Sequence, residues 1–83
     1  MSVRLHPHAR ERIEERGATV DEVVSTIEQG ERFLARFGRS AFRRNFPFPR
    51  MWRGRQYATK QIEAFAVEDD GNWLVITVIV RYY

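Results

Sequence analysis

At Gly30 the apolar pattern of this chain changes period, and the change separates a helical first third from a sheet-forming remainder. Before it, Val20, Val23, Val24 and Ile27 recur at i, i+3, i+4 and i+7, which is one face of an α-helix. Thr19 and Glu22 have the spacing of a capping box, and Gly30 is the stop signal. A preceding helix is expected from Pro7 to Arg16, because proline is tolerated in a first turn and Gly17 ends the segment. Its apolar stripe is thin, Ala9 and Ile13, while Arg10 to Glu14 and Arg12 to Glu15 are spaced for intrahelical ion pairs. Val3 to Leu5 alternates weakly and reads as a short edge strand.

Past Gly30, Glu31 to Phe37 and Ser40 to Phe46 read as strands separated by Gly38. The Phe46-Pro47-Phe48-Pro49 run is expected as a loop or an edge followed by a bend, since each proline lacks an N–H. Arg55 to Glu68 is a further strand, and Asp69-Asp70-Gly71-Asn72 is a strong hairpin turn. Trp73 to Tyr82 closes the sheet. Its LVITVIV core is apolar on both faces, which implies a central strand covered by the helices. The expected fold is therefore α+β, one domain over residues 1–83, with two N-terminal helices packed on a three- to four-stranded, mainly antiparallel sheet.

An 83-residue chain has room for one core. With no cysteine it has no disulfide framework, thiolate metal site or cysteine nucleophile, which fits a reducing compartment. The N-terminal MSVRLHPHARERIEERG has no signal-type apolar core, and no segment approaches the ~20 apolar residues that span a bilayer. A cytoplasmic protein without membrane contact is the expectation.

Charge is the more informative property. Arg36, Arg39, Arg43, Arg44, Arg50, Arg53, Arg55 and Lys60 form a segment of +8 with no acid, against −5 for the rest of the chain. Phe37, Phe42, Phe46, Phe48, Trp52 and Tyr57 are interleaved with them. Such a pattern supplies cations for phosphates and flat faces for unpaired bases. The plainer alternative sends the aromatics into the core and leaves the arginines as a solvated face.

His8, Arg12 and Arg16 are spaced by four, which places His8 and Arg12 in one patch suited to a phosphate or to proton transfer near neutral pH. An exposed histidine beside ion-pairing arginines is the ordinary alternative. His6 and His8 lack the further ligands of a zinc site, so no metal and no cofactor are expected. Arg81-Tyr82-Tyr83 and Lys60-Gln61 add cations and phenols toward the ends of two strands. Glu63, Glu68, Asp69 and Asp70 read as solvent-facing strand and turn residues. The five glycines are scattered at turns and caps and form no phosphate loop.

The run His8-Ala9-x-x-Arg12-x-x-x-Arg16-Gly17-x-Thr19-x-x-Glu22-Val23, with a closing hairpin that ends in a Thr-Val run, resembles the bacterial domain of unknown function 4258 family. That family is similar in its helix-helix-sheet order to the RelE/ParE-like toxins, many of which are small metal-independent ribonucleases. RelE-like members activate a 2′-hydroxyl against the adjacent phosphate. The resemblance implies a RelE-like fold, with His8 and Arg12 as the family's helix residues and Arg16-Gly17 as its helix end.

Three functions follow as expectations. The first is an RNA-directed, toxin-like protein acting as a metal-independent endoribonuclease, with His8 as acid or base and Arg12, Lys60 and Arg81 as cations around the phosphate. The second is a non-catalytic nucleic-acid-binding domain, with Arg39, Arg43, Arg44, Arg53 and Arg55 on phosphates and Trp52, Phe48 or Tyr57 stacking on bases. In the third, the Arg36 to Lys60 surface docks an acidic protein such as an antitoxin-like partner.

Overall fold

The computed structural model describes residues 2–83. Strand β1 (Val3–Leu5) leads into helices α1 (Pro7–Arg16) and α2 (Val20–Gln29), followed by strands β2 (Glu31–Leu34), β3 (Ser40–Trp52), β4 (Arg55–Asp69) and β5 (Asn72–Tyr82). They form one sheet in the order β1-β5-β4-β3-β2, with β2 to β5 antiparallel and β1 parallel beside the start of β5. The α+β class holds. The sheet is five-stranded and mixed rather than three- to four-stranded, because both short outer strands find a partner, β1 at Trp73–Val75 and β2 at Ser40–Arg43. Among the described residues no helix is long and apolar enough to cross a membrane.

Both helices are capped as their sequences imply. His6 precedes Pro7 and its Nδ1 accepts the His8 N–H at 3.1 Å. On α2, Thr19 Oγ1 accepts the Glu22 N–H at 3.1 Å and Glu22 Oε1 accepts the Thr19 N–H at 2.9 Å, a complete capping box. Ala9 and Ile13 of α1 and Val23, Thr26 and Ile27 of α2 are buried against Ile62, Ala64 and Ala66 of β4 and Trp73, Val75, Val78 and Val80 of β5. The buried stripe of α2 is rotated from the expected one: Val20 is exposed, and Thr26 is buried with its hydroxyl donating to the Glu22 carbonyl at 2.8 Å.

Both helices lie on one face of the sheet, so β5 is covered on that face alone. Ile79, on the other face, is 38% exposed. The apolar character of LVITVIV on both sides therefore marks an uncovered surface as well as a core.

The Phe46-Pro47-Phe48-Pro49 run belongs to β3, as its edge-like half. β2 ends at Arg43 in register, so the rest of β3 pairs only with β4. Thr59, opposite Pro47, exchanges both of its backbone hydrogen bonds with Tyr83, so Pro47 needs no N–H on that side, and a register shift between Pro47 and Arg50 accommodates the second proline. In place of a bend, Arg53 and Gly54 make a two-residue turn with φ 51° and 81°. This is the twist a tight hairpin favours, and glycine in its second position keeps the strain low.

The β3–β4 hairpin bends toward the helices and meets them at Gly17. There φ is 78°, and a Cβ would lie 2.6 Å from the Trp52 ring and 2.7 Å from the Tyr82 hydroxyl. Gly17→Ala is expected to cost about 2–4 kcal/mol, from the left-handed backbone and the overlap together. Urea unfolding of the two proteins measures it.

Candidate nucleic-acid interface

The one-signed basic segment divides between the two faces of the sheet. Along β3 and β4 several arginines stand two residues from an aromatic, and that spacing puts both on the same face. The guanidinium of Arg44 lies over Phe46 at 5.2 Å, Arg50 over Phe48 at 5.1 Å and Arg55 over Tyr57 at 6.0 Å. Arg53 covers Trp52 at 5.2 Å. Phe42 and Phe48 are buried, as the plainer alternative has it, while Phe46, Trp52 and Tyr57 are half-buried and not bare stacking faces. Cation–π pairs form instead, each worth about 0.5–1 kcal/mol when exposed.

On the helix side this segment fastens the hairpin to the helices. Tyr82 is its centre: Trp52 stacks on it with centroids 5.1 Å apart, Phe48 and Tyr57 lean on it at 5.1 and 5.6 Å, and its hydroxyl donates to the Arg16 carbonyl. Burial and the nearby Glu22 charge push the Tyr82 phenol above its ordinary value, with Arg53 opposing them. Lys60, 5% exposed, donates to the Gly17 carbonyl at 3.0 Å and to Glu22 Oε1 at 2.9 Å, and its ammonium sits 4.9 Å from the Phe48 ring centre. A cavity of about 540 Å³ opens beside it, between Thr19 and the Pro47–Trp52 stretch. Arg53 donates to the Glu15 carbonyl at 3.0 Å, and Arg44 donates to the Ser25 hydroxyl.

The four residues expected to be catalytic do not converge. His8 is exposed at the start of α1, Arg12 is half-buried further along it, and Lys60 meets the chain beyond its C-terminal end. His8 and Gly17 are about 14 Å apart along the helix at 1.5 Å per residue. Arg81 is next to Tyr82 on β5 and faces the opposite side of the sheet, where it pairs with Glu63. Among the described residues no three His, Asp or Glu side chains are grouped to hold a metal ion.

The uncovered face has its own order, set by register. Phe33, Ala41, Phe65 and Thr77 form one cross-strand row; Glu31, Arg43, Glu63 and Ile79 the next; Asn45, Gln61 and Arg81 a third. In the middle row Glu63 is 5% exposed, which corrects its expected place among solvent-facing acids. Arg43 holds one carboxylate oxygen through Nε at 3.2 Å and a terminal nitrogen at 2.7 Å, and Arg81 holds the other. Burial pushes the Glu63 carboxyl up, but the hydrogen bonds and charges of Arg81 and Arg43 outweigh it and leave it below its ordinary value. In the third row the Tyr83 hydroxyl accepts from Gln61 at 3.0 Å and donates to Asn45 at 3.3 Å.

The lowered Glu63 value has a pH consequence. Because the folded state binds fewer protons than the unfolded chain, this contribution to stability is full above the unfolded carboxyl value of about 4.3 and is lost as pH falls through the lower folded value. Glu63→Gln is expected to flatten the acid limb of the stability profile, measured by urea unfolding between about pH 3 and 7.

Above the apolar row, the β2–β3 loop carries Arg36, Phe37 and Arg39 over Phe65, Thr77 and Ile79, enclosing a groove of about 290 Å³. Arg39 and Arg43 were expected at phosphates and lie on this face, whereas Arg44, Arg53, Arg55, Trp52 and Tyr57 belong to the helix side and its hairpin end. Sequence reasoning named Phe37 among the stacking candidates but missed the place of Glu63 and Phe65 on this face. Only cross-strand register identifies them, and no residue type or spacing signals it. Comparison with family models, curated proteins and solved structures gives no match to this chain.

Proposed function

We propose that this chain is a cytoplasmic, RNA-directed protein of the toxin-like class, with a RelE-like arrangement of helices and sheet, and that it engages single-stranded RNA across the uncovered sheet face. One observation carries the reading: Arg36, Arg39, Arg43 and Arg81 border a partly exposed apolar row on the face that no helix covers, where the buried carboxylate of Glu63 lies between two of those guanidiniums. Phosphates need fixed cations and unpaired bases need flat apolar surface, and here the two adjoin. The resemblance of the α1–α2 motif to the domain 4258 family and the RelE/ParE-like toxins supports RNA as the polymer.

Binding is favoured over cutting. In-line attack by a 2′-hydroxyl asks for an acid, a base and cations around one phosphate. His8, Arg12 and Lys60 are on the helix side, and the titratable groups beside Arg43 and Arg81 are Glu63, held ionised, Glu31 and Tyr83. The test is fluorescence anisotropy with a labelled single-stranded RNA in EDTA over a range of salt, followed by a gel of the same samples. Retention that falls steeply with salt, with intact RNA, is expected. Arg36→Glu/Arg39→Glu should weaken it far more than Arg53→Glu/Arg55→Glu. Equal losses or no retention contradict the open-face reading, and cleavage abolished by His8→Ala would establish the endoribonuclease on the helix side instead.

A further inference from the structure

The groove under the β2–β3 loop is built in a way that the fold itself does not require. The Ala35 N–H donates to the Arg39 carbonyl at 3.1 Å and the Arg39 N–H to the Arg36 carbonyl at 3.3 Å, which closes the loop. Between them Phe37 has φ 62° and Gly38 φ 68°. A left-handed backbone is uncommon for a bulky residue, so the loop imposes this conformation on Phe37. The phenyl ring gains little burial in return, since Phe37 is 86% exposed. A conformationally costly aromatic held out beside a groove, on a loop anchored to a rigid sheet, is a feature of contact surfaces.

We infer that this groove receives one unstacked base of a bound RNA strand, with Phe37 and Phe65 as its aromatic contacts and Arg36 and Arg39 at its rim. The inference rests on the open-face reading above. Size supports it: about 290 Å³ lies at the lower end of the range for ligand pockets, enough for a single ring system and too small for the face of a helix. Charge supports it as well, because the lining holds two guanidiniums and no carboxylate. Register supplies the rest. Ile79, which borders the groove, is cross-strand neighbour of Glu63 and two residues from Arg81, so the Arg43–Glu63–Arg81 cluster begins one row, about 7 Å, from the Phe65–Thr77 row. A base in the groove and a phosphate at those guanidiniums then belong to the same short stretch of strand. Glu63 fixes the two arginines and leaves their remaining N–H groups free to meet that phosphate.

The experiment compares a fluorescein-labelled octauridylate with an abasic ribose-phosphate strand of equal length and charge, by anisotropy at fixed salt. Wild type should prefer the octauridylate by about tenfold, the scale of one stacked base. Phe37→Ala, at an exposed site where folding is insensitive to the side chain, should abolish that preference while retaining affinity for the abasic strand. Arg36→Ala/Arg39→Ala should weaken binding of both strands. If Phe37→Ala keeps the full preference for octauridylate, the base subsite is overturned and the open-face reading stands. If wild type binds neither strand, the reading itself fails and takes the subsite with it.

Discussion

Lys60→Met is expected to lower the unfolding free energy by about 2–3 kcal/mol, because it removes the buried partner of an ion pair and leaves the partly exposed Glu22 carboxylate in place. Glu22 then keeps only the Thr19 N–H, and the Gly17 carbonyl loses its donor. A domain of this size has a total stability of the order of 4–12 kcal/mol, so the change is a large part of it. Methionine retains the unbranched stem against Phe48, so the loss reports on the ammonium rather than on packing. Lys60→Ala adds a cavity and should cost more. Glu22→Gln separates the two ends of the interaction, since a side-chain amide still accepts from both donors. Urea unfolding of the four proteins should order them as wild type, Glu22→Gln, Lys60→Met, Lys60→Ala in decreasing midpoint. A Lys60→Met midpoint equal to wild type would mean that the lysine is not what joins β4 to α2.

The second large effect concerns RNA. Removing Arg43 and Arg81 alone would leave Glu63 buried and uncompensated, so the informative variant is the triple Arg43→Ala/Glu63→Gln/Arg81→Ala, compared with Glu63→Gln by itself. The triple variant is expected to bind single-stranded RNA at least about tenfold more weakly at low salt. Its log–log salt slope should be shallower by about 0.7, the loss of one phosphate contact on a single strand. Glu63→Gln should keep the full slope, because it removes no cation, and should bind slightly less tightly because the guanidiniums are less firmly held. Equal slopes for wild type and the triple variant would exclude the two arginines from the phosphate contact.

What was legible in the sequence was largely local. The capping box at Thr19 and Glu22, the αL glycine at Gly17 and the Asp70-Gly71 turn are decided by residues within a few positions of one another, and each is found where the chemistry predicts it. The Arg53-Gly54 hairpin carries a weaker local signal, because arginine is not a usual left-handed residue, and the adjacent prolines disguised β3 as a loop. Those prolines are compatible with a strand only because β2 stops at Arg43, a fact about strand lengths rather than about Pro47 or Pro49.

The faces were harder to read than the elements. The two-residue spacing of Arg44 and Phe46, Phe48 and Arg50, and Arg55 and Tyr57 is visible in the sequence and dictates arginine over ring, yet alternating charge and aromaticity invites the opposite conclusion. Arg81 and Lys60 are near neighbours in register, with Lys60 opposite Tyr82 and Arg81 opposite Gln61, and still face opposite sides of the sheet. One residue of register decides the side. The open face emerges only from three strands aligned together, and the shift between Phe65 and Ala66, which moves the β5 pairing by one residue, is invisible in any single strand.

The central claim is that RNA meets the uncovered sheet face, and the most direct measurement is a ¹H–¹⁵N NMR titration of the labelled chain with octauridylate. Amide shifts concentrated in the β2–β3 loop, Ala41–Arg43, Gln61–Phe65 and Thr77–Arg81, with the helices and the Arg53-Gly54 turn unmoved, are what the account predicts. Shifts confined to α1 and the hairpin end, or none at all, would contradict it.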